Sequence, residues 1–400
     1  MQQLALRAAT EADLERLVII HTGAFPDARG AAARRRNFEH NALGTLSDLQ
    51  VVTRGDAIVG HAFLFSLGVF FGGRRVPVGG IASVGVAPEA RGRGVGSWLI
   101  DKLHALSHDR GDALTMLYAF RYAFYERFGY ARVGTSKRLS FAPESVPRAL
   151  RQLARSAEIR APQAGDLAAM RQLYEVEAAA TTGALDRPTA LWERLALGDR
   201  THTILLEQGG VAAGYVAFEH VQIEPHAATK LVVRELCAPT ALARRTLLGV
   251  LGSQADQCAE IEIEVASDDP IDLALGDVDA ARHGRADVEH AFGTLVGGPM
   301  IRTGDLDRAL LARGWPRDGR ATLRTGGLAR ELVVTSGQLQ IGPARIDGVS
   351  VTGGALSAIA FGSLAVADAR DLGMATGDDE AIAEAGALLA QRHYFSRDPF

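Results

Sequence analysis

A glycine-rich segment in the first quarter of this 400-residue chain constrains its fold more than any other feature. Within Val84–Ser97, a short apolar stretch ends at Pro88, three glycines follow, and apolar residues then recur at helical spacing. The glycines are Gly92, Gly94 and Gly96. The pattern predicts a strand that runs into a helix, whose first N–H groups can approach a phosphate because no Cβ stands in the way. Arg91 and Arg93 add positive charge, so we expect a site for a nucleotide-like cofactor.

The spacing of these glycines differs from the G-x-G-x-x-G fingerprint of dinucleotide-binding folds. The arrangement Arg91-x-x-Gly94-x-Gly96, after Val-x-Val and a proline, instead resembles the acetyl-coenzyme A loop of the GNAT superfamily of N-acetyltransferases. The resemblance implies that acetyl-CoA is held by Val84, Gly85, Val86, Arg91, Gly92, Arg93, Gly94, Val95, Gly96 and Ser97. An ordinary glycine-rich turn between a strand and a helix is the alternative interpretation.

A second segment, Leu117–Tyr130, begins as a strand and continues as a short aromatic helix that Gly129 closes. Its last part, Phe124–Tyr130, is similar to the [FY]-Y-x-R-x-G-[FY] stretch of GNAT enzymes. By that resemblance Tyr125 lies beside the departing sulfur, where a neutral phenol can donate a proton to a thiolate. The alternative is that all these rings pack in the core.

Composition places the chain among soluble globular proteins of two or three domains, with 47% hydrophobic and 22% charged residues. No stretch is apolar for the length of a membrane span, and the first residues lack the pattern of a signal peptide. We therefore expect a cytoplasmic protein without a membrane partner. A net charge of −4 gives no reason to expect nucleic acid as a partner. The two cysteines and the scattered histidines show no metal-ligand spacing, so no metal is expected.

An internal repeat divides the chain. The pattern of Leu6–Leu14 returns in Ile159–Leu167, and the hairpin-like Gly55–Phe63 returns in Gly209–Ala217 at nearly the same displacement. Two related domains in tandem are the simplest explanation. In the second copy, Ala238–Leu248 takes the place of the glycine loop and contains no glycine, so its side chains would hold the backbone away from phosphates. We expect one active site per chain, in the first domain.

Two breaks suggest the domain limits. Two prolines, Pro143 and Pro147, follow the last strand of the first copy, and residues 277–288 are poor in large apolar side chains. The expected domains are residues 1–147, 148–288 and 289–400. The third has helix and strand patterns and resembles the sterol-carrier-like domain that follows tandem GNAT domains. The predicted fold class is therefore α+β, with tandem GNAT domains, the second degenerate, and a sterol-carrier-protein-like C-terminal domain.

Together these features make the whole chain resemble the enhanced intracellular survival (Eis) family of acetyltransferases. The resemblance implies acetyl-CoA-dependent transfer to primary amines of polycationic molecules, notably aminoglycosides, with antibiotic resistance as the outcome, and a hexameric assembly. It also places Phe120 and Arg121 against the coenzyme. Acetylation of lysines in proteins or peptides is the alternative within enzymes, and a non-catalytic CoA-binding or lipid-binding scaffold is the alternative outside them.

In the Eis family the proton acceptor is the C-terminal carboxylate, threaded back into the first domain's site. Carried over, the base is the α-carboxylate of Phe400, and a backbone N–H of the Val84–Val86 strand steadies the oxyanion. An α-carboxyl has a reference pKa of about 3.5, so the base must be partly desolvated or act through water. Asp27 and Phe38 lie where relatives line the acceptor pocket, and a carboxylate beside a ring would suit an ammonium. Alternatively, Asp27 caps a turn and Phe38 is core.

Overall fold

The computed structural model describes residues 3–26, 30–196, 201–222, 229–276, 291–344, 347–390 and 393–400. The strands in this part are β1 (Leu4–Ala8), β2 (Leu49–Arg54), β3 (Ala57–Phe71), β4 (Arg74–Val86), β5 (Leu114–Leu117), β6 (Ala131–Arg132), β7 (Thr135–Phe141), β8 (Glu158–Arg160), β9 (His202–Gln208), β10 (Val211–Gln222), β11 (Thr229–Cys237), β12 (Glu260–Ala266), β13 (Gly293–Gly297), β14 (Met300–Thr303), β15 (Gly319–Thr325), β16 (Leu328–Thr335), β17 (Gln338–Pro343), β18 (Val349–Val351) and β19 (Ala375–Thr376). The α-helices are α1 (Leu14–Ala24), α2 (Ala31–Glu39), α3 (Val95–Arg110), α4 (Tyr122–Glu126), α5 (Arg148–Arg155), α6 (Leu167–Ala179), α7 (Thr189–Ala196), α8 (Ala241–Gly252), α9 (Leu306–Ala312), α10 (Gly353–Phe361), α11 (Val366–Asp371) and α12 (Asp379–Leu389).

The first sheet has the order β1-β2-β3-β4-β5-β14-β6, with α1 and α3 packed on its central strands. Strand β4 runs parallel to β5, and their pairing ends where Ile81 faces Leu117. Because β4 continues to Val86 while β5 stops, the two strands diverge beyond this point. The divergence leaves a cleft between them, at the end of the sheet where α3 begins.

The second sheet has the order β13-β7-β12-β11-β10-β9-β8. Its strand β11 runs parallel to β12, their pairing ends where Val233 faces Ile263, and β11 continues to Cys237. Helix α8 follows β11 as α3 follows β4. The repeat predicted from the sequence is therefore confirmed as a repeat of topology, and it includes a second cleft.

Three strands, β7, β13 and β14, join sheets that lie across the predicted domain limits at residues 147 and 288. Strand β7 pairs with β12 and β13 in the second sheet, and β14 lies between β5 and β6 in the first. The chain thus enters the second sheet just after β6 and returns to the first after Gly297. Prolines mark where regular pairing stops, but pairing partners more than a hundred residues away decide which sheet a strand joins.

The C-terminal part is an α+β unit with a five-stranded sheet of order β17-β16-β15-β18-β19, as the helix and strand patterns predict. One hydrophobic cluster runs without interruption from the first sheet into this unit. In it the rings of Phe71 and Phe361 meet edge to face at 5.2 Å between centroids. The third unit therefore packs directly on the first domain. In the described part of the chain, no helix has the length and apolar character needed to cross a membrane.

Candidate active site

The glycine loop forms the predicted connection between β4 and α3. Gly92 and Gly94 have φ values of +71° and +78°, in the left-handed region that favours glycine. Gly94 caps α3, and the first bond of the helix runs from the Trp98 N–H to the Gly94 carbonyl at 3.0 Å. The N–H groups of the first helical turn therefore point toward the open end of α3, an arrangement that suits a phosphate.

Two arginines flank this loop in different ways. Arg91 donates from Nε to the Val86 carbonyl at 3.1 Å and from Nη2 to the Gly23 carbonyl at 2.8 Å, so it fixes the loop against α1. Arg127 donates from Nη2 to the Ser97 hydroxyl at 2.8 Å, and its guanidinium lies 4.3 Å from the centre of the Phe124 ring. Sequence reasoning did not single out Arg127, although it belongs to the aromatic motif that identified Tyr125.

A cavity of roughly 650 Å³, called here the loop cavity, opens above the glycine loop. Its lining includes nine of the residues predicted for the coenzyme: Val84, Val86, Arg91, Gly92, Gly94, Val95, Gly96, Ser97 and Phe120. Three predicted residues do not line it. Arg93 and Arg121 are exposed elsewhere, and Gly85 faces His61, whose Nε2 would lie 2.7 Å from a Cβ at position 85. A side chain at position 85 would therefore clash with His61, and the glycine serves packing within the sheet.

A second cavity of roughly 330 Å³, called here the terminal cavity, lies in the cleft between β4 and β5. Its lining includes Tyr125, Pro399 and Phe400. Phe25, Val84 and Phe120 border both cavities. The Phe120 ring is 72% exposed at this border, so it belongs to the rim and not to the core. The structure therefore brings the glycine loop, Tyr125 and the last residue of the chain together around one junction.

Tyr125 lies at the base of the terminal cavity and is 2% exposed. Its ring meets Phe124 edge to face at 4.9 Å and Phe120 at 6.2 Å between centroids. Burial raises the pKa of its hydroxyl to about 12, because removal from water disfavours the phenolate. The phenol is therefore neutral at physiological pH and keeps a proton that it can donate.

Phe400 is half-buried inside the first domain. Its ring meets Tyr118 edge to face at 5.5 Å, and a Cβ at Gly80 would come within 3.1 Å of it. The absence of a side chain at Gly80 therefore makes room for Leu67 and for this ring, at the point where the pairing of β4 with β5 ends. The last residue is seated in the cleft and does not fray into solvent.

The two predicted acceptor residues have different outcomes. Asp27 lies outside the described residues. Phe38 is fully buried and packs edge to face on His61 at 5.5 Å, so it belongs to the core and does not line the terminal cavity. Asn37 of the same helix and Asn41, just beyond its end, line the cavity instead. The apolar ring thus turns inward while nearby polar side chains face the cleft.

Two histidines that no sequence pattern distinguished lie near the terminal cavity. His21 lines the terminal cavity, and its ring stacks at 5.5 Å from that of His61, which is fully buried on β3. Burial, with a contribution from His21, lowers the pKa of His61 to about 3, so His61 is neutral. Among the residues that the structure describes, no group of three His, Cys, Asp or Glu side chains is placed to hold a metal ion.

Two parts of the chain match known protein families. Residues 5–133 match a family described as Acetyltransferase (GNAT) domain, and residues 183–292 match a second family with that description. No curated protein matches the chain.

Three solved structures share the fold over the whole length. A GCN5-related N-acetyltransferase from Kribbella flavida is 25% identical with a TM-score of 0.82, over 100% of this chain and 99% of that one. A GCN5-related N-acetyltransferase from Anabaena variabilis is 18% identical with a TM-score of 0.83, over 100% of both chains. Eis1 from Mycobacterium abscessus is 21% identical with a TM-score of 0.77, again over 100% of both chains.

Proposed function

We propose that this chain, an acetyltransferase with two GNAT domains in tandem, transfers the acetyl group of acetyl-CoA to a primary amine where the loop cavity meets the terminal cavity. One observation carries the proposal. The cavity above the phosphate-type loop and the cavity that holds Tyr125 and the chain end share a border at Val84 and Phe120. A coenzyme in the first would therefore present its acetyl end to an acceptor in the second.

The loop cavity fits the phosphate end of coenzyme A. Left-handed Gly92 and Gly94 turn the backbone so that the N–H groups opening α3 face the cavity, where the positive end of the helix dipole favours an anion. Arg91 and Arg127 line the same space and supply charge. These groups would hold the pyrophosphate, and the bound coenzyme would supply an acetyl thioester.

The residues of the terminal cavity supply the proton transfers. An ammonium acceptor must lose a proton before its nitrogen can form the new C–N bond, and the Phe400 carboxylate would take that proton directly or through one water. A backbone N–H of the Val84–Val86 stretch would steady the charge on the acyl oxygen. As the C–S bond breaks, neutral Tyr125 would give its proton to the sulfur. No covalent enzyme intermediate is needed.

The acceptor we propose is a primary amine on a polycationic small molecule of the aminoglycoside type, with antibiotic resistance as a consequence. Support comes from the likeness in fold to Eis1 and from the amide side chains of Asn37 and Asn41 in the cavity wall, which can accept hydrogen bonds from an ammonium. From the same resemblance we propose a cytoplasmic hexamer with a sterol-carrier-like third domain. Lysine side chains of proteins are the second acceptor class to test.

The test is thiol release from acetyl-CoA with aminoglycosides, polyamines and lysine peptides. Two altered chains serve as controls, Tyr125→Phe and a chain extended by two glycines after Phe400. We expect turnover with amines that falls strongly in both. Turnover with lysine peptides alone would change the acceptor class. Absence of turnover with every amine, in a folded protein, would favour a non-catalytic coenzyme-binding or lipid-binding scaffold.

A further inference from the structure

The second GNAT domain has a cleft at the same place as the first, and the Ala-Pro pair that follows each strand aligns the two strand ends. An Ala-Pro pair follows Val86 at the end of β4 and Cys237 at the end of β11. Each strand has a register shift just before this end. Counting back from the two ends, Glu235 occupies the position that Val84 has in the first domain. A buried carboxylate thus replaces the valine that borders both cavities.

The chain's own C-terminal segment enters this second cleft and is held there by buried ion pairs, beside a remaining cavity of roughly 400 Å³. Arg187 donates from Nη1 to Glu235 Oε2 at 2.7 Å and from Nε to Asp398 Oδ2 at 2.8 Å. The side chains of Arg187, Glu235 and Asp398 are 1%, 4% and 6% exposed. The guanidinium also lies 4.0 Å from the centre of the Tyr174 ring. Burial alone would lower the pKa of Arg187, but its carboxylate partners raise it well above the ordinary value, so the group is charged.

Neighbouring residues of the same segment are tied to the second domain as well. Arg397 donates from Nη1 to Glu177 Oε2 at 3.0 Å and from Nη2 to the Leu236 carbonyl at 3.0 Å. The Phe395 N–H donates to the Thr182 carbonyl at 2.8 Å. Every one of these partners lies on the second-domain side of β7. The segment is therefore held up to Asp398, and only two residues remain before the chain ends in the terminal cavity of the first domain.

We propose that Arg187 is a positioning residue for acetyl transfer: by joining Asp398 to Glu235 of the second domain, it fixes where the terminal carboxylate of Phe400 can lie. The inference rests on the proposed function, in which that carboxylate is the base. Two residues span at most about 7 Å, and Pro399 has a fixed φ, so an anchor at Asp398 leaves few positions for the carboxylate. A shift of about 1 Å in a reacting group can cost on the order of 100-fold in rate.

Arg187→Lys is the decisive variant, because a lysine places one point charge where the guanidinium fork joins two carboxylates. Arg160→Lys is its matched control: Arg160 also bridges two carboxylates of the second domain, Asp166 at 2.6 Å and Glu207 at 2.7 Å, away from the C-terminal segment. We expect Arg187→Lys to lower kcat for amine acetylation by about 10- to 100-fold while KM for acetyl-CoA stays within about twofold. Arg160→Lys should match the parent chain in both constants.

An acceptor that needs no base separates positioning from general damage. Hydroxylamine is already unprotonated at neutral pH, so misplacing the carboxylate should change its acetylation by less than about threefold. Equal losses with hydroxylamine and with ammonium acceptors would overturn the proposal in favour of a purely structural role. If Arg187→Lys does not fold, as judged by circular dichroism, the same pair of acceptors is measured with Asp398→Asn, which leaves the Arg187–Glu235 pair in place.

The chain extended by two glycines distinguishes this inference from the proposed function. Loss of amine acetylation in the extended chain, with Arg187→Lys and Asp398→Asn both unaffected, would keep the terminal base and overturn the positioning role. Full activity in the extended chain would overturn the terminal base, and the positioning role with it. Selective loss with ammonium acceptors in both the extended chain and Arg187→Lys is the result we expect.

Discussion

The two GNAT domains have a cleft at the same place in the sheet, and its walls differ in the side chains that line them. In the first, left-handed glycines, a helix N-terminus and Phe120 leave two adjoining cavities open. In the second, the Thr240 side chain caps α8 by accepting from the Ala243 N–H at 3.1 Å, and Arg244 pairs with Asp269 across the place where a phosphate loop would be. The comparison shows that the same strand arrangement leaves space in both copies, and that side chains decide what enters it: the C-terminal segment enters the second cleft beside a cavity of roughly 400 Å³.

The electrostatics of the two clefts differ accordingly. The described wall of the terminal cavity combines aromatic and amide side chains with few charges, whereas Glu235 brings a buried carboxylate into the second cleft. A buried charge is tolerated only when it is paired. With a carboxylate at the position of Val84, the second cleft needs cationic partners for it. Arg187 and Arg397 are those partners.

Extending the chain by two glycines after Phe400 should change only the first cleft, and it should give the largest loss of acetylation rate. Because the Phe400 carboxylate is displaced, we expect amine acetylation at pH 7 to fall by about 10²- to 10⁴-fold, the usual contribution of a general base. The deficit should shrink as pH rises toward the pKa of the acceptor amine, since solvent then removes the proton. Rate measurements from pH 7 to 10 test this, and a deficit independent of pH would contradict it.

Removing the Tyr125 hydroxyl should have the next largest effect. We expect Tyr125→Phe to lower kcat by about 100-fold, since the leaving thiolate loses its proton donor while the ring packing stays. Tyr122→Phe is the control, because that ring stacks on Arg132 and lines neither cavity. With a pKa of about 12, Tyr125 should also cause no alkaline loss of activity below pH 10. Equal rates for Tyr125→Phe and the parent chain would remove it from the chemistry.

The buried His61 should make stability depend on pH in a way that the second copy does not share. His61 pairs with Gly85, and in the second sheet the residues that pair near the end of β11 are Tyr215 and Val216, neither of them a histidine. The folded chain holds the pKa of His61 at about 3, so stability present above pH 6.5 is lost as pH falls and the unfolded chain takes up the proton. Between pH 6.5 and 5 the loss should be about 2 kcal/mol.

Urea unfolding of the parent chain and His61→Val at several pH values measures this difference. The variant is expected to be less stable at pH 7 because it leaves space in the core, so the slope with pH and not the absolute value is the result of interest. A pH slope unchanged by the substitution would show that His61 is not the titrating group.

The smallest effects are expected from substitutions at two glycines in turns, Gly94 in the glycine loop and Gly209 in the turn between β9 and β10. Gly94 and Gly209 both have positive φ, +78° and +61°, and neither has a heavy atom within 4 Å of an added Cβ. Alanine at either position should cost about 1–2 kcal/mol of stability through the left-handed conformation. Only Gly94→Ala should also raise KM for acetyl-CoA, by about tenfold, because the loop lines the loop cavity. An equal KM change in Gly209→Ala would mean that lost stability, and not the loop, weakens binding.

Local signals in the sequence predicted some parts of this molecule and missed others. The loop glycines and the aromatic stretch at Tyr125 could be found because turn geometry and short motifs act over a few neighbouring residues. The burial of Phe38 and the sheet that β7 joins depend on partners far away in the chain, which periodicity does not record. Arg187 precedes a proline and belongs to no recognisable motif, so the sequence does not mark it. Its proposed role can be inferred only from the fold, which brings Glu235 and Asp398 into contact with it.

The position of β14 has a consequence for how this protein can be divided. Because β14 lies between β5 and β6, the sheet that carries the candidate active site is incomplete until residues 300–303 have been synthesised, well after the whole second domain. A fragment that stops before them would leave β5 with an open edge, which invites pairing with other chains. Deletion of residues 148–288 would remove β12, the partner of β7, which lies in the chain between β6 and β14. A domain without its own glycine loop is thus built into the connection between two strands of its neighbour's sheet.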